Sequence, residues 1–117
     1  MAEKIAAIQP PDGFWRTSLL DPDSYPAPET SGTAFHCYGL AWGINNGYLK
    51  RENYSAAVAK AWTGLIHSVR ADGKLGSVQP VGASPNAVTS NLTETYGVGA
   101  FLLAGTEVYK LSLALCR

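Results

Sequence analysis

A chain of 117 residues is long enough for one domain with a single core of modest size. Nine basic side chains balance nine acidic ones, which excludes the one-signed surface that nucleic acid or an anionic membrane would attract. Two cysteines, Cys37 and Cys116, are too few for a disulfide framework, and Cys37, set in an apolar run, reads as a buried thiol.

In chain order, residues 1–8 read as the end of a helix, closed by Gln9-Pro10-Pro11, because proline cannot continue a helix and extends the residue before it. No basic segment followed by an apolar stretch opens the chain, so no signal peptide is visible and a cytoplasmic location is the expectation. Asp12-Gly13 then reads as a turn: glycine accepts positive φ, and the aspartate bonds back to its own backbone. A Pro-rich loop leads to a second helix over about 31–46. Thr30 or Ser31 is placed to cap it, and Gly47 suits a left-handed C-terminal cap. Ala34, Phe35, Cys37, Tyr38, Leu40, Ala41, Trp42 and Ile44 cover almost its whole circumference, which predicts burial on most sides.

The third helix, about 52–69, is one-faced. Tyr54, Val58, Ala61, Trp62, Leu65, Ile66 and Val69 share a stripe, and most polar residues lie elsewhere. Asp72-Gly73 repeats the turn, and Leu75–Val81 allows a short extended segment. The fourth helix, about 95–115, is again apolar nearly all round. Gly97, Gly99, Ala100, Ala104 and Gly105 let neighbouring backbones approach, although each helical glycine costs about 1 kcal/mol. Glu107, Tyr109 and Lys110 interrupt its apolar run, which argues against a membrane span.

The chain therefore repeats itself. The Asp-Gly pairs recur at an interval of 60 residues, and Glu29-Thr30 and Glu94-Thr95 at 65. All-round apolar helices alternating with one-faced helices describe an all-α, two-layer ring, a partial α/α toroid of about two helical hairpins. Its inner helices run parallel, so both Glu-Thr corners and both long loops fall on one rim. Helix N-termini there offer free N–H groups and partial positive charge.

The motifs Pro11-Asp12-Gly13-Phe14-Trp15-Arg16, Pro28-Glu29-Thr30-Ser31-Gly32-Thr33-Ala34-Phe35 and Ala41-Trp42-Gly43-Ile44-Asn45-Asn46-Gly47-Tyr48-Leu49 resemble the later part of glycoside hydrolase families 88 and 105. So do Asp72-Gly73-Lys74-Leu75 and the run from Thr93 to Gly105. The resemblance covers nearly the whole chain. It implies an (α/α)6 barrel acting on oligosaccharides that end in a 4,5-unsaturated uronic acid, the products of polysaccharide lyases acting on pectin, rhamnogalacturonan or related polymers. In those families an aspartate protonates the enol-ether double bond, water adds, and the resulting hemiketal falls apart; no metal or organic cofactor takes part. A complete member is roughly three times this length, and its proton-donating aspartate lies upstream of the matching segment. Asp12, Asp21, Asp23 and Asp72 match turns, so no residue is assigned as the catalytic acid.

The residues expected at the rim are Trp15, Arg16, Glu29, Thr30, Ser31, Asn86, Glu94, Thr95 and Tyr96, with His36 close by. Each has a structural alternative. Glu29 and Glu94 suit the helix dipole; Thr30, Ser31 and Thr95 suit helix caps or contacts to sugar hydroxyls. Trp15 suits either a stacking platform or a loop anchor. Arg16 suits either the substrate carboxylate or a structural ion pair, and His36 either substrate or core. His67, on the one-faced helix, has no expected chemistry. The implied partner is an unsaturated-uronyl oligosaccharide, with no nucleic acid and no membrane. A homo-oligomer or an N-terminal region would complete the toroid. Two non-enzymatic alternatives stand beside this: a carbohydrate-binding module and a self-assembling α-hairpin module, the latter favoured by the apolar flanks of an open arc.

Overall fold

The computed structural model describes residues 1–115; its regular elements are helices joined by two long loops, and among these residues the extended pairing is limited to one antiparallel bridge, Val69 with Leu75. The elements are α1 (Ala2–Ala7), α2 (Thr30–Asn45), α3 (Arg51–His67) and α4 (Thr95–Leu115), with a short 3-10 turn at Pro22–Ser24 in the first long loop. The helices expected from periodicity are all present, with ends shifted by a residue or two. The extended segment expected at Leu75–Val81 contributes only the Leu75 bridge. Cys116 lies outside the described residues, and Cys37 is fully buried, its thiol pushed up to about 12 by burial and therefore inert.

α2 and α3 form an antiparallel hairpin, turned at Gly47, whose φ of +77° is the left-handed conformation expected there. α4 packs chiefly on α2 and touches α3 less. Contacts at both ends establish that α2 and α4 run parallel: Ser31 meets Tyr96 near their starts, and Asn45 meets Glu107 farther along. The core that these helices share with α3 and the first loop includes Trp15, Cys37, Leu40, Ala41, Val58, Ala61, Leu65, Ala100, Ala104 and Leu111. Two parallel inner helices with α3 on their outside form an arc of an α/α toroid.

Three expectations of burial need correction. α2 leaves one stripe open, where Phe35 and Trp42, seven residues apart, are 47% and 41% exposed. α4 is buried only along Gly97, Ala100, Ala104, Glu107 and Leu111, the spacing of one helical face. Leu102, Leu103, Tyr109, Leu113 and Leu115 are exposed, because among the described residues α2, α3 and the second loop cover one side of α4 and leave the rest open. By length and composition α4 is apolar enough to cross a bilayer, but its buried stripe is seated on α2, and Lys110 bonds the Glu107 carboxylate at 2.8 Å. In α3 the core stripe is Ala57, Val58, Ala61, Gly64 and Leu65, while Ile66 and Val69 are exposed. Gly64 belongs to the stripe because the Phe14 ring lies against it: a Cβ there would stand 2.7 Å from the ring.

The internal repeat survives at atomic detail. Asp12 Oδ1 accepts from Phe14 N, and Asp72 Oδ1 accepts from Lys74 N, both at 3.1 Å. The glycines that follow have φ of +86° and +83°. Their surroundings differ. A Cβ on Gly13 would stand 2.3 Å from the carbonyl oxygen of Lys60, whereas Gly73 and Gly47 face open space. Gly13→Ala therefore combines an unfavourable φ with a collision against helix backbone and should lower stability by about 3 kcal/mol. Gly47→Ala, with φ alone against it, should lose about 1 kcal/mol. Thermal unfolding followed by circular dichroism measures both.

Candidate functional site

The site is built from the two inner-helix N-termini and the loops that feed them. Glu29, not Thr30 or Ser31, caps α2. Its carboxylate has two acceptor oxygens and so serves two orphan donors at once, Ser31 N at 2.9 Å and Gly32 N at 2.7 Å. The same carboxylate accepts from Ser31 Oγ at 2.7 Å and from Gln79 N at 3.2 Å. With 1% of its surface exposed, Glu29 is a buried charge, and these four donors together with the helix dipole stabilise it. Thr30 is the first helical residue. Its N–H donates to Ser77 O at 2.8 Å and its hydroxyl to Gly76 O at 2.7 Å, so both of its donors fasten the second loop.

Tyr96, the second residue of α4, closes the circuit. Its hydroxyl donates to Gln79 O and lies 3.2 Å from Ser31 Oγ. Glu29, Ser31, Gln79 and Tyr96 thus link α2, the second loop and α4: hydrogen bonds join Ser31 and Gln79 to Glu29 and Tyr96 to Gln79, and the contact between the two hydroxyls closes the circuit. Ser77, beside this junction, has φ of +58°, an uncommon conformation for a residue with a side chain, and its carbonyl is the one that Thr30 N holds.

The remaining rim candidates differ in their surroundings. Trp15 and Arg16 anchor the first loop. The indole is 1% exposed and donates to Ile5 O at 2.9 Å; Trp15 N donates to Thr33 Oγ1, which in turn donates to Glu29 O at 2.7 Å. Arg16 forks onto Asp12 at 2.7 and 3.2 Å. Burial raises the Asp12 carboxyl, but the Arg16 guanidinium and the Phe14 N–H outweigh that and hold it below its ordinary value. Glu94 and Thr95 are exposed at the start of α4, and no hydrogen bond to the Glu94 side chain occurs among the described residues. The two Glu-Thr corners are therefore not equivalent: one is sealed and structural, the other open.

His36 stands apart from the ring. It meets the Trp15 indole edge-on at 5.0 Å between centroids and lines an apolar hollow with Ile5, Phe35, Leu40 and Leu49. Burial lowers its pKa, and the Glu29 charge opposes that only in part. Its Nδ1 has no hydrogen-bond partner among the described residues. Asn86 lines a separate hollow with Thr17 and Tyr25.

Gln79 and Thr33 are absent from the sequence-derived set. Thr33 carried a signal, a hydroxyl four residues after the capping glutamate, where it can reach back to that carbonyl. Gln79 acts through its backbone, which no residue type announces. Among the described residues no three His, Cys, Asp or Glu side chains gather as a metal site would require.

Comparison with known proteins now adds the family. The sequence pattern that defines Glycosyl Hydrolase Family 88 matches residues 1–112. An unsaturated 3S-rhamnoglycuronyl hydrolase from Formosa agariphila is 50% identical over 111 residues, which are 95% of this chain and 29% of that protein. A glycosyl hydrolase family 88 structure from Bacteroides vulgatus superposes with a TM-score of 0.87 at 49% identity, covering 94% of this chain and 33% of the other. A possible member of the GH105 family from Salmonella enterica superposes with a TM-score of 0.77 at 26% identity, covering 92% and 29%. This chain thus spans about a third or less of the length of the relatives it matches.

Two outcomes are expected. Glu29→Ala strands three backbone donors and should lower stability by about 3 kcal/mol, with Tyr96→Phe costing about 1 kcal/mol, both read from denaturant unfolding. The lowered pKa of His36 means that the unfolded chain takes up the proton first. Stability is then full above the unfolded value near 6.5 and falls as pH drops below it toward the depressed folded value. His36→Leu should flatten that part of a plot of stability against pH.

Proposed function

The chain belongs to glycosyl hydrolase family 88, and from that premise we propose that it is the C-terminal part of an unsaturated-uronyl hydrolase. In this reading residues 1–117 form one structural unit that supplies two of six hairpins and one stretch of the rim of an oligosaccharide cleft. The observation that carries the proposal is the Glu29–Ser31–Gln79–Tyr96 ring, which locks two parallel inner-helix N-termini and a loop into a fixed edge. Preorganised polar edges of this kind hold a substrate in one orientation.

The residues divide by task. Trp15, Arg16, Glu29, Thr30 and Ser31 build the edge, because their polar groups are already engaged by the protein. Glu94 and Thr95 are exposed at the start of α4 and make the contacts to sugar hydroxyls, while Tyr96, its hydroxyl engaged by Gln79 O, belongs to the edge they stand on. His36 supports the edge from behind through Trp15. The substrate is an oligosaccharide ending in an unsaturated uronic acid, with the rhamnoglycuronyl type named for the Formosa agariphila relative as the first to try. The acid that protonates its double bond belongs to sequence outside this segment. The exposed apolar faces of α2 and α4 then receive the rest of the ring.

A chimera tests this reading. When this chain replaces the matching segment of the Formosa agariphila enzyme, turnover should persist, measured as loss of the absorbance of the unsaturated uronate. In the same chimera Glu29→Ala should lower kcat/KM by about 100-fold. This chain alone should give little or no turnover. An inactive but folded chimera, or efficient turnover by the chain alone, would count against the proposal.

A further inference from the structure

A hollow of about 250 Å³ opens where the end of α3 meets the first loop and both limbs of the second. None of the residues expected at the rim lines it. Polar side chains reach it from three segments: His67 and Arg70 from the end of α3 and the turn after it, Ser77 from the outgoing limb, and Ser90 from the returning limb. Phe14 and Pro28 of the first loop add apolar surface. Gly76 is where these segments converge. Its N–H donates to Ser68 O at 2.9 Å, and its carbonyl accepts from the Thr30 hydroxyl at 2.7 Å. A Cβ there would collide with Ser90 O and stand 3.3 Å from Arg70 Cδ, so the returning limb and the arginine stem both lie against bare backbone. The hollow is framed before any ligand arrives, which lowers the cost of binding.

Two observations give it a ligand chemistry. Ser77 has φ of +58°, a conformation that glycine adopts without the steric cost a side chain adds. Position 77 is nevertheless serine, and among the described residues its hydroxyl makes no hydrogen bond. Arg70 is the second observation. Its guanidinium stands 3.6 Å from Asp72 Oδ2, with both side chains more than a third exposed, so the pair is weak. At the first Asp-Gly turn, by contrast, Arg16 is closed onto Asp12 at 2.7 Å. Arg70 therefore keeps its fork of donors for another acceptor.

A guanidinium, an imidazole and two serine hydroxyls suit a negative group whose oxygens point in several directions, which describes a tetrahedral oxyanion. A planar carboxylate would occupy the guanidinium and leave the hydroxyls unserved. The last carbonyls of α3, which would repel an anion, are covered: Gly64 O accepts from Ser68 N and Oγ, and Ile66 O from Val69 N. We propose that the hollow among His67, Arg70, Ser77 and Ser90 binds a sulfate or phosphate group, as the free ion or as an ester on a sugar. Arg70 supplies the charge, the serine hydroxyls and the His67 ring N–H supply the remaining hydrogen bonds, and Phe14 and Pro28 face the carrier of an ester. This goes beyond the functional reading above and does not depend on it.

Amide chemical shifts of the isotopically labelled 117-residue chain test the site, at constant ionic strength, with sodium sulfate, glucose 6-sulfate, sodium acetate and glucose as probes. Sulfate should shift the Arg70, Gly76, Ser77 and Ser90 amides to saturation, whereas acetate and glucose should leave them in place. Saturation by glucose 6-sulfate, with or without sulfate, identifies a site for an ester; saturation by sulfate alone identifies a site for the free ion. Arg70→Gln should weaken binding about tenfold, the effect of a charge-assisted hydrogen bond. Ser77→Gly should weaken it about fivefold without lowering Tm, because glycine accepts that φ, and this separates a lost ligand contact from a lost fold. The inference is overturned if acetate shifts these amides as far as sulfate does, if neither sulfate nor its ester saturates them, or if Arg70→Gln leaves the affinity unchanged.

Discussion

A buried carboxylate needs donors, and the way Glu29 obtains them organises much of this structure. Two come from the first turn of α2, one from a serine hydroxyl on that turn, and one from the backbone of a loop 50 residues away. The first three are local and would exist in an isolated helix. The fourth turns a helix cap into a tertiary joint, since Gln79 can reach Glu29 only if the second loop folds back over the start of α2. Thr30 strengthens the joint from the adjacent position, and Tyr96 extends it to α4. Removal of the charge would loosen three elements together.

The layers follow from small residues as much as from large ones. A Cβ on Gly97 would stand 2.7 Å from Val78, and one on Gly105 2.9 Å from Trp62. α4 therefore meets the second loop at one notch and the outer helix at another, eight residues along the same rod. In α2, Gly43 does the same for Leu49. These glycines cost helix stability and return it as close contact, which bulkier side chains would prevent.

Much of this was legible in the sequence, and the failures have a common cause. Helix positions, the parallel inner pair, the left-handed glycines and the shared rim followed from periodicity, turn chemistry and the doubled motif. Burial did not. Apolar composition all round α4 states what the helix would accept as neighbours, not which of them this chain provides, so Leu102 and Leu103 stand exposed. The two Glu-Thr corners also looked alike, yet only Glu29 has a loop positioned to saturate it. Identical dipeptides acquire different roles when their partners come from distant, irregular backbone such as Gln79.

The α2–α4 pair carries a measure of its own geometry. Between the contact at Ser31–Tyr96 and that at Asn45–Glu107, α2 advances from residue 31 to 45 and α4 only from 96 to 107. Parallel rods should advance equally, and the shortfall of three residues is about 4.5 Å of helix. A long side chain on a helix leans back over the turn before it, and a tyrosine reaches far enough to span that gap. From the second residue of its own helix the phenol thus brings its oxygen to the first turn of α2, beside Ser31. One side chain therefore ties the starts of two helices together and also lines the hollow that the second loop encloses with Thr17.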